Sequence, residues 1–185
     1  MNQDNIRNDI NEELISRQEL DSKVKELAGC INKDYEGKEP VLVSILKGSI
    51  VFLSELMKHL TIKSSIDFIA VSSYRGETES SGVVKLIMDL RESIEGRDVL
   101  LVEDIVDTGL TVAYLRDNLK TRRPSSLKLC TLLNKPDNME IDIKLDYLGF
   151  KIPDKFVVGY GLDYRERYRN LPFIGTLKPE IYRDK

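Results

Sequence analysis

The residues of this chain best suited to chemistry lie in one segment, residues 99–111, which reads VLLVEDIVDTGLT. Four apolar residues, typical of a strand buried on both faces, are followed directly by the adjacent carboxylates Glu103 and Asp104. A third carboxylate, Asp107, comes three residues later, and the polar turn at 108–111 then opens a helix. Because ligands of open α/β sheets bind beyond the carboxyl ends of the strands, this segment predicts a ligand site.

The turn at 108–111 has the features of a phosphate site. Backbone N–H groups of a glycine-containing turn at a helix N-terminus bind phosphate, and threonine hydroxyls add hydrogen bonds. The nearby carboxylates would repel such an anion unless the ligand also offers them hydroxyls or Mg²⁺. A sugar phosphate does so, with its ribose diol at Glu103 and Asp104. An N-capping Asp107 or Thr108 would explain a simple acidic turn, but not a Glu-Asp pair placed after four buried residues.

Other phosphate chemistries are excluded by spacing or by residue type. The chain contains no GxxxxGK[ST] or GxGxxG string, and its Asp-x-x-Asp-Thr run is one residue wider than the DxDxT of phosphatases that form an aspartyl phosphate. The single histidine, His59, has the neighbours of a surface helical position, which excludes histidine triads and histidine-rich zinc sites. Cys30 and Cys130 lack CxxC spacing, as expected of buried thiols in a reducing compartment. Acid–base work therefore falls to carboxylates or lysines.

Composition limits the class of protein and its partners. The chain has 185 residues, 41% hydrophobic and 32% charged, which suits one globular domain. Its net charge of -3 argues against a nucleic-acid partner, which usually requires a basic excess. No apolar run approaches the ~20 residues that span a bilayer, and the N-terminus is polar and acidic, unlike a signal peptide. The sequence therefore predicts a cytoplasmic protein without a membrane or nucleic-acid partner.

The elements that must position these residues follow from hydrophobic periodicity. A capping box at 16–19 opens a helix over about 16–35, and an apolar run at 41–46 predicts a buried strand. After the break at 47–49, an apolar stripe predicts another helix. The pattern then repeats and predicts strands over 66–72, 83–88, 99–102 and 127–133 and a helix over 111–120. This alternation predicts an α/β fold with an open parallel β-sheet flanked by helices.

Two regions fall outside the alternation. Residues 72–82, SSYRGETESSG, fit a solvated hairpin and a mobile lid equally well. The C-terminal part has short strands near 147–150 and 156–160 and then an irregular tail. We expect one domain, 1–185, with a core at about 37–135 and a small hood from about 1–15 and 136–185.

The segment EDIVDTGLT resembles the phosphoribosyl-diphosphate signature of the type I phosphoribosyltransferases, and its flanks resemble the hypoxanthine–guanine branch of that family. The flanking segments are ILKGS at 45–49, SSYRG at 72–76, LLNKPDN at 132–138 and IPDKFVVGYGLDYRERYRNLP at 152–172. The resemblance runs from about Ser16 to Tyr182, with the motifs in the family's order. It implies the type I phosphoribosyltransferase fold and a purine salvage enzyme. The implied reaction transfers the phosphoribosyl group of 5-phospho-α-D-ribose 1-diphosphate to N9 of hypoxanthine or guanine, giving IMP or GMP and pyrophosphate, with Mg²⁺ as cofactor.

The resemblance also implies roles for matching residues. Glu103 and Asp104 would hold the ribose hydroxyls directly or through Mg²⁺, and Asp163 would bind a Mg²⁺ that also touches the pyrophosphate. Asp107 would be the general base at N7 of the purine. Lys135 would donate to the exocyclic O6, although a lysine in an NKPDN turn is, taken alone, usually a solvated surface residue.

Further implied contacts surround the base and the diphosphate. Phe156 would stack on the purine, and Val157 would offer backbone groups to the base edge. Arg169, with Lys47 and the backbone of Gly48, would bind the diphosphate oxygens. The remaining implied residues belong to the flexible loop and the phosphate turn: Ser73, Tyr74, Thr108, Gly109, Leu110 and Thr111.

Two alternatives remain open from sequence. A regulator could keep this fold and bind RNA or DNA, although the acidic balance and Asp107 favour an enzyme. Another base, such as xanthine, adenine or a pyrimidine, could be the acceptor. Lys135 as an O6 donor opposes adenine, whose 6-amino group is itself a donor. Because the family forms dimers and tetramers, we expect a homodimer or homotetramer.

Overall fold

In the computed structural model of the chain, residues 6–75 and 80–182 are described, without the side chains of residues 73–75, 80–84 and 182. The strands are β1 (Ile10–Ile15), β2 (Val41–Leu46), β3 (Ser65–Arg75), β4 (Ser80–Met88), β5 (Asp98–Val106), β6 (Ser126–Asn134), β7 (Tyr147–Lys151), β8 (Val157–Val158) and β9 (Ile174–Leu177). The α-helices are α1 (Arg17–Asp34), α2 (Ser49–Met57), α3 (Leu110–Lys120) and α4 (Pro179–Tyr182), and a 3-10 turn spans Pro136–Asn138.

The larger sheet has the strand order β4-β3-β2-β5-β6-β7, and its strands pair in parallel except β4, which is antiparallel to β3. The predicted parallel sheet flanked by helices is confirmed, with one antiparallel edge strand that the sequence pattern did not reveal. The short connection from Arg75 to Ser80 suits an antiparallel pair, since parallel strands need a crossover of about a dozen residues or more. The strand order reverses between β2 and β5, which is where such sheets bind ligands.

Helices cover both faces of this sheet because successive strand residues point to opposite sides. Leu42 and Leu100 belong to the apolar cluster that includes α1 and α2. Their neighbours Val43 and Leu101 belong to the cluster that includes α3. In the described part of the chain, no helix is long and apolar enough to cross a membrane.

The capping box predicted for α1 is present. The Ser16 N–H donates to Glu19 Oε2 at 2.8 Å, and the Glu19 N–H donates to Ser16 Oγ at 3.3 Å. Substituting such a cap typically costs about 1 kcal/mol of stability. Cys30 is exposed on this helix, so the expectation that both thiols are buried holds only for Cys130. His59 is exposed just beyond α2.

The smaller sheet has the antiparallel order β1-β9-β8, so both ends of the chain contribute to it. The hood was expected to take in everything from residue 136, but β7 instead pairs in parallel with β6 in the larger sheet. The physical reason is burial: Tyr147 of β7 packs in the α1–α2 cluster. A Cβ on Gly149 would collide with the Leu132 carbonyl, so β7 approaches β6 very closely there.

Most of the predicted loop at 72–82 is strand, because β3 and β4 are longer than the periodicity indicated. Their pairing continues through Ser73 opposite Val84 and Arg75 opposite Ser80. Residues 76–79 of this predicted loop, and the side chains of Ser73 and Tyr74, lie outside the described residues.

Candidate functional site

The site lies at the switch point, where β2 and β5 end side by side. The turn after β2 contains Lys47 and Gly48, and the peptide between Leu46 and Lys47 is cis. Gly48 is required by close packing, since a Cβ there would collide with the Asp104 carboxylate. Gly161, at a φ of 105°, is pressed against the Gly48 carbonyl in the same way. Three segments distant in sequence therefore meet at Gly48.

Glu103 and Asp104, called the acid pair below, are buried near the end of β5. Their residues are only 7% and 9% exposed, and strand β5 continues past them to Val106, four residues beyond the predicted end. Burial raises the pKa of Asp104 to about 6. Burial also raises the pKa of Glu103 well above its usual range, and the neighbouring Asp104 charge adds to that rise. Within the described residues, Glu103 Oε2 has no hydrogen-bond partner.

The turn that follows β5 leads into α3 through a left-handed glycine. Gly109 has a φ of 86°, and α3 begins at Leu110, one residue before the predicted start. The first N–H groups of a helix lack intrahelical partners, so they can serve an anion. The Leu110 N–H lies 3.4 Å from Thr108 Oγ1, and Thr111 follows in the first turn of the helix.

Asp107 belongs to a closed ring of contacts with Lys135, Asn138 and Asp154, which we call the lysine ring. The Lys135 ammonium lies 3.2 Å from Asp107 Oδ2 and 3.2 Å from Asp154 Oδ1. The Asn138 amide nitrogen lies 2.8 Å from Asp107 Oδ1 and 2.8 Å from Asp154 Oδ1. The Lys135 side chain is only 9% exposed, so it is not a solvated surface lysine.

Asn138 and Asp154 were missed by sequence reasoning, although both lie inside segments that carry the family resemblance. Hydrogen bonds from Asn138, which has the larger effect, and from Lys135 lower the pKa of Asp154. Asparagine and aspartate are common turn residues, and nothing in their local sequence separates these two from others. The signal that could have found them is a buried lysine, which needs anionic partners.

The hood supplies an aromatic ring and an edge strand. Phe156 is 48% exposed and packs edge-to-face against Tyr164, with ring centroids 5.7 Å apart. Val157 is buried in β8, which pairs with β9 on one side only in the described part of the smaller sheet. The other edge of β8 therefore has backbone groups that a ligand could use.

A further cluster of charged residues joins Lys47 to the segment that follows β8. Arg169 Nη2 lies 2.8 Å from Asp163 Oδ1, and Arg169 Nη1 donates to the Gly161 carbonyl at 2.8 Å. Glu166, which the sequence did not single out, accepts from both cations: its Oε2 is 3.1 Å from Lys47 Nζ and 3.3 Å from Arg169 Nη2. Arg165 and Arg167 are exposed.

The donors present suit a hard divalent cation. The unpartnered, buried Glu103 Oε2 is the kind of oxygen that such a cation or a sugar hydroxyl satisfies. Among the residues that the structure covers, no three His, Cys, Asp or Glu side chains form one metal cluster. Mg²⁺ usually takes only one or two protein carboxylates together with waters and substrate oxygens. The acid pair fits that pattern.

Comparison with known proteins points to one family. The family model for the phosphoribosyl transferase domain matches residues 11–165. The chain is 50% identical to the hypoxanthine-guanine phosphoribosyltransferase of Bacillus subtilis, over 96% of this chain and 98% of that one. A crystal structure of a hypoxanthine phosphoribosyltransferase from Staphylococcus aureus matches with a TM-score of 0.92 and 52% identity, covering 96% of both chains.

A longer relative also matches. The chain is 52% identical to the bifunctional protein TilS/HprT of Listeria monocytogenes over 97% of its own length. It spans 28% of that protein.

Proposed function

The chain belongs to the phosphoribosyl transferase domain family, and we propose that it transfers the 5-phosphoribosyl group of 5-phospho-α-D-ribose 1-diphosphate to N9 of hypoxanthine or guanine. The products are IMP or GMP and pyrophosphate, and the setting is purine salvage. The observation that carries the proposal is the arrangement along β5. There the acid pair, Asp107 and the phosphate turn follow one another, and a buried Lys135 lies beside Asp107.

In this proposal the phosphate turn and the acid pair bind the sugar. The 5-phosphate accepts hydrogen bonds from the N–H groups of residues 108–111 and the hydroxyls of Thr108 and Thr111. The ribose hydroxyls donate to Glu103 and Asp104, which gives the unpartnered Glu103 oxygen a donor. Holding the sugar at these two points fixes C1 relative to the base.

The lysine ring handles the base. An ammonium has three N–H donors, and two of those of Lys135 point to Asp107 and Asp154, which leaves one for O6 of the purine. As the N9–C1 bond forms and the C1–oxygen bond to diphosphate breaks, Asp107 takes the proton from N7. A carboxylate is a weak base for this proton, so the donor at O6 matters because it stabilises the negative charge left on the ring. Phe156 stacks on the ring, and the backbone of Val157 meets its edge.

The diphosphate lies between the turn after β2 and the segment after β8. Lys47, Arg169 and the backbone of Gly48 bind its oxygens. Since both cations now contact Glu166, the diphosphate replaces that carboxylate when it binds.

Enzymes of this family generally use a divalent metal ion, and we propose Mg²⁺ here. Glu103 and Asp104 would hold a Mg²⁺ beside the ribose, and Asp163 would hold one beside the diphosphate, where it would offset the charge of that leaving group. Because phosphoribosyl diphosphate is a charged metabolite, we also propose that the protein works in the cytoplasm. The family resemblance leads us to propose a homodimer or homotetramer.

The direct test is pyrophosphate release by the purified protein with phosphoribosyl diphosphate, Mg²⁺ and a panel of bases. We expect turnover with hypoxanthine and guanine and little turnover with adenine or pyrimidines. The rate with xanthine, compared with the rates for hypoxanthine and guanine, ranks the three 6-oxopurines. Absence of turnover with every 6-oxopurine would overturn the proposal in favour of a nucleotide-binding regulator.

A variant of Asp107 tests its role as the base. Asp107→Asn should lower kcat by about 10²–10⁴-fold with little loss of IMP binding, because the amide keeps the shape but cannot accept the proton. Asp137→Asn, in the neighbouring exposed turn, is the matched control and should retain full activity. Retention of the rate in Asp107→Asn would show that another group is the base.

A further inference from the structure

The lysine ring contains two residues, Asn138 and Asp154, that have no role in the reaction as proposed so far. Asp154 contacts the Lys135 ammonium at the same 3.2 Å as Asp107 does. Its own side chain is 62% exposed, whereas that of Lys135 is 9% exposed. An exposed carboxylate gains little from a salt bridge, but a buried ammonium needs one. The contact therefore matters mainly for Lys135.

The number of donors shows what this contact does to Lys135. With two of its three N–H groups directed at the two aspartates, the tetrahedral ammonium has one direction left for the third. If either aspartate were absent, the ammonium could rotate, and the direction of its remaining N–H groups would no longer be fixed. Asp154 thus fixes an orientation that Asp107 alone cannot fix.

The reaction step itself separates the two aspartates. When Asp107 takes up the N7 proton it becomes neutral, and its attraction for the Lys135 ammonium falls at the moment when negative charge develops toward O6. Asp154 takes no part in the proton transfer and stays ionised, consistent with hydrogen bonds from Asn138 and Lys135 that lower its pKa. It is the anionic partner that keeps Lys135 in place through the step.

Asn138 sets the distance between the two acids. Its amide nitrogen contacts Asp107 Oδ1 and Asp154 Oδ1 at 2.8 Å each, which uses both of its N–H donors. Asp154 also lies two residues before Phe156, on the segment that carries the stacking ring. The ring of contacts therefore ties the stacking face of the pocket to the donor for O6.

Resting on the proposed function, we propose that Asp154 and Asn138 are positioning residues that aim the free N–H of Lys135 at the 6-oxo group of the purine and hold it there during proton transfer. Neither needs to touch the base. The effect should therefore appear in turnover of the base and not in binding of the sugar diphosphate.

The experiment compares Asp154→Asn, Asn138→Ala and the control Asp137→Asn in steady-state kinetics. We expect Asp154→Asn to lower kcat/KM for hypoxanthine by about 10–100-fold and Asn138→Ala by less, with KM for phosphoribosyl diphosphate changed less than about twofold. The loss should be smaller for 6-mercaptopurine, whose sulfur is a weaker acceptor, so the preference for hypoxanthine over it should shrink. A merely structural defect would lower kcat/KM for both bases by the same factor.

A double-mutant cycle with Lys135→Gln completes the test. If Asp154 acts through Lys135, Asp154→Asn should cost little more once the ammonium is gone, whereas additive losses would overturn the inference. If the wild type is active on 6-oxopurines and Asp154→Asn has the same kcat/KM for hypoxanthine, this inference alone is refuted. A wild-type protein without any turnover would refute the proposed function instead. Thermal unfolding of each variant verifies that it is folded.

Discussion

The acid pair and the lysine ring lie in the same site, yet their charges are compensated in opposite ways. Glu103 and Asp104 are almost fully buried, one of their oxygens has no partner among the described residues, and burial raises both pKa values. In the ring, Asp107 and Asp154 are partly exposed and accept from Lys135 and Asn138.

The difference indicates when each region becomes complete. Two adjacent buried carboxylates, one of them with an unpartnered oxygen, cost free energy, which a cation or sugar hydroxyls can offset on binding. The ring has its partners already, so its geometry is set before the base arrives. The acid pair therefore depends on the ligand, and the lysine ring is preorganised for it.

Gly48→Ala should disturb the acid pair most, because a Cβ at this position collides with the Asp104 carboxylate. We expect kcat/KM for phosphoribosyl diphosphate to fall by about 10²-fold, since a displacement of ~1 Å can cost that much. The lysine ring is left intact, so KM for hypoxanthine or guanine should change far less. The measurement is steady-state kinetics with each substrate varied in turn.

Gly29→Ala is the matched control for that prediction. Gly29 lies in α1, and a Cβ there meets no atom within 4 Å. Activity should be unchanged and stability should rise by about 0.5–1 kcal/mol, because alanine is the better helix former. If both glycine variants keep full activity, the close approach of Gly48 to Asp104 is not needed for catalysis.

Glu103→Gln should separate stability from binding. Removing a buried, uncompensated carboxylate should leave the ligand-free protein as stable as the wild type or more stable, while affinity for phosphoribosyl diphosphate with Mg²⁺ should fall about 10–100-fold. Asp154→Asn should instead leave that affinity unchanged. Urea unfolding and calorimetric titration measure the two quantities. A Glu103→Gln protein that is clearly less stable would contradict the interpretation that the Glu103 carboxylate lacks a compensating partner.

The acid pair and the phosphate turn were predictable from sequence because one continuous segment contains them. An apolar run, two acids and a glycine turn follow one another in residues 99–111, so one strand–turn–helix unit contains the pair and the phosphate turn. The apolar run at 41–46 also predicted β2 correctly, and the motif at 16–19 predicted the capping box of α1. The end of the strand was misplaced by four residues, since Glu103 and Asp104 are polar and interrupt the apolar pattern although they remain in the strand.

The ring was only half predictable because its contacts are between loops. Lys135 and Asp107 are 28 residues apart, and Lys135 and Asp154 are 19 apart. Glu166 meets Lys47 across 119 residues. The placement of β7 in the larger sheet has the same origin: a short apolar strand carries no local mark of the sheet it joins. Such contacts depend on tertiary packing, and only the family resemblance gave Lys135 a role.

The pH dependence of stability gives the smallest effect and the clearest difference in sign. A pKa of about 6 for Asp104, raised from 3.8 by burial, means that the folded protein binds more protons than the unfolded chain between these values. Its contribution is therefore greatest at low pH and is lost as pH rises through about 6, and Glu103 acts in the same direction. The lowered pKa of Asp154 acts oppositely, because its contribution is lost as pH falls.

Urea unfolding from pH 4 to 7.5 in chelator, without substrate, measures these contributions. Since one pKa unit is worth about 1.4 kcal/mol, Asp104 alone accounts for a fall in the unfolding free energy of at most about 3 kcal/mol over this range. Asp104→Asn should flatten that fall, whereas Asp154→Asn should leave it in place and weaken the protein only where Asp154 would be ionised. An identical slope in Asp104→Asn and wild type would mean that burial does not raise this pKa, and the acid pair would then resemble the ring after all.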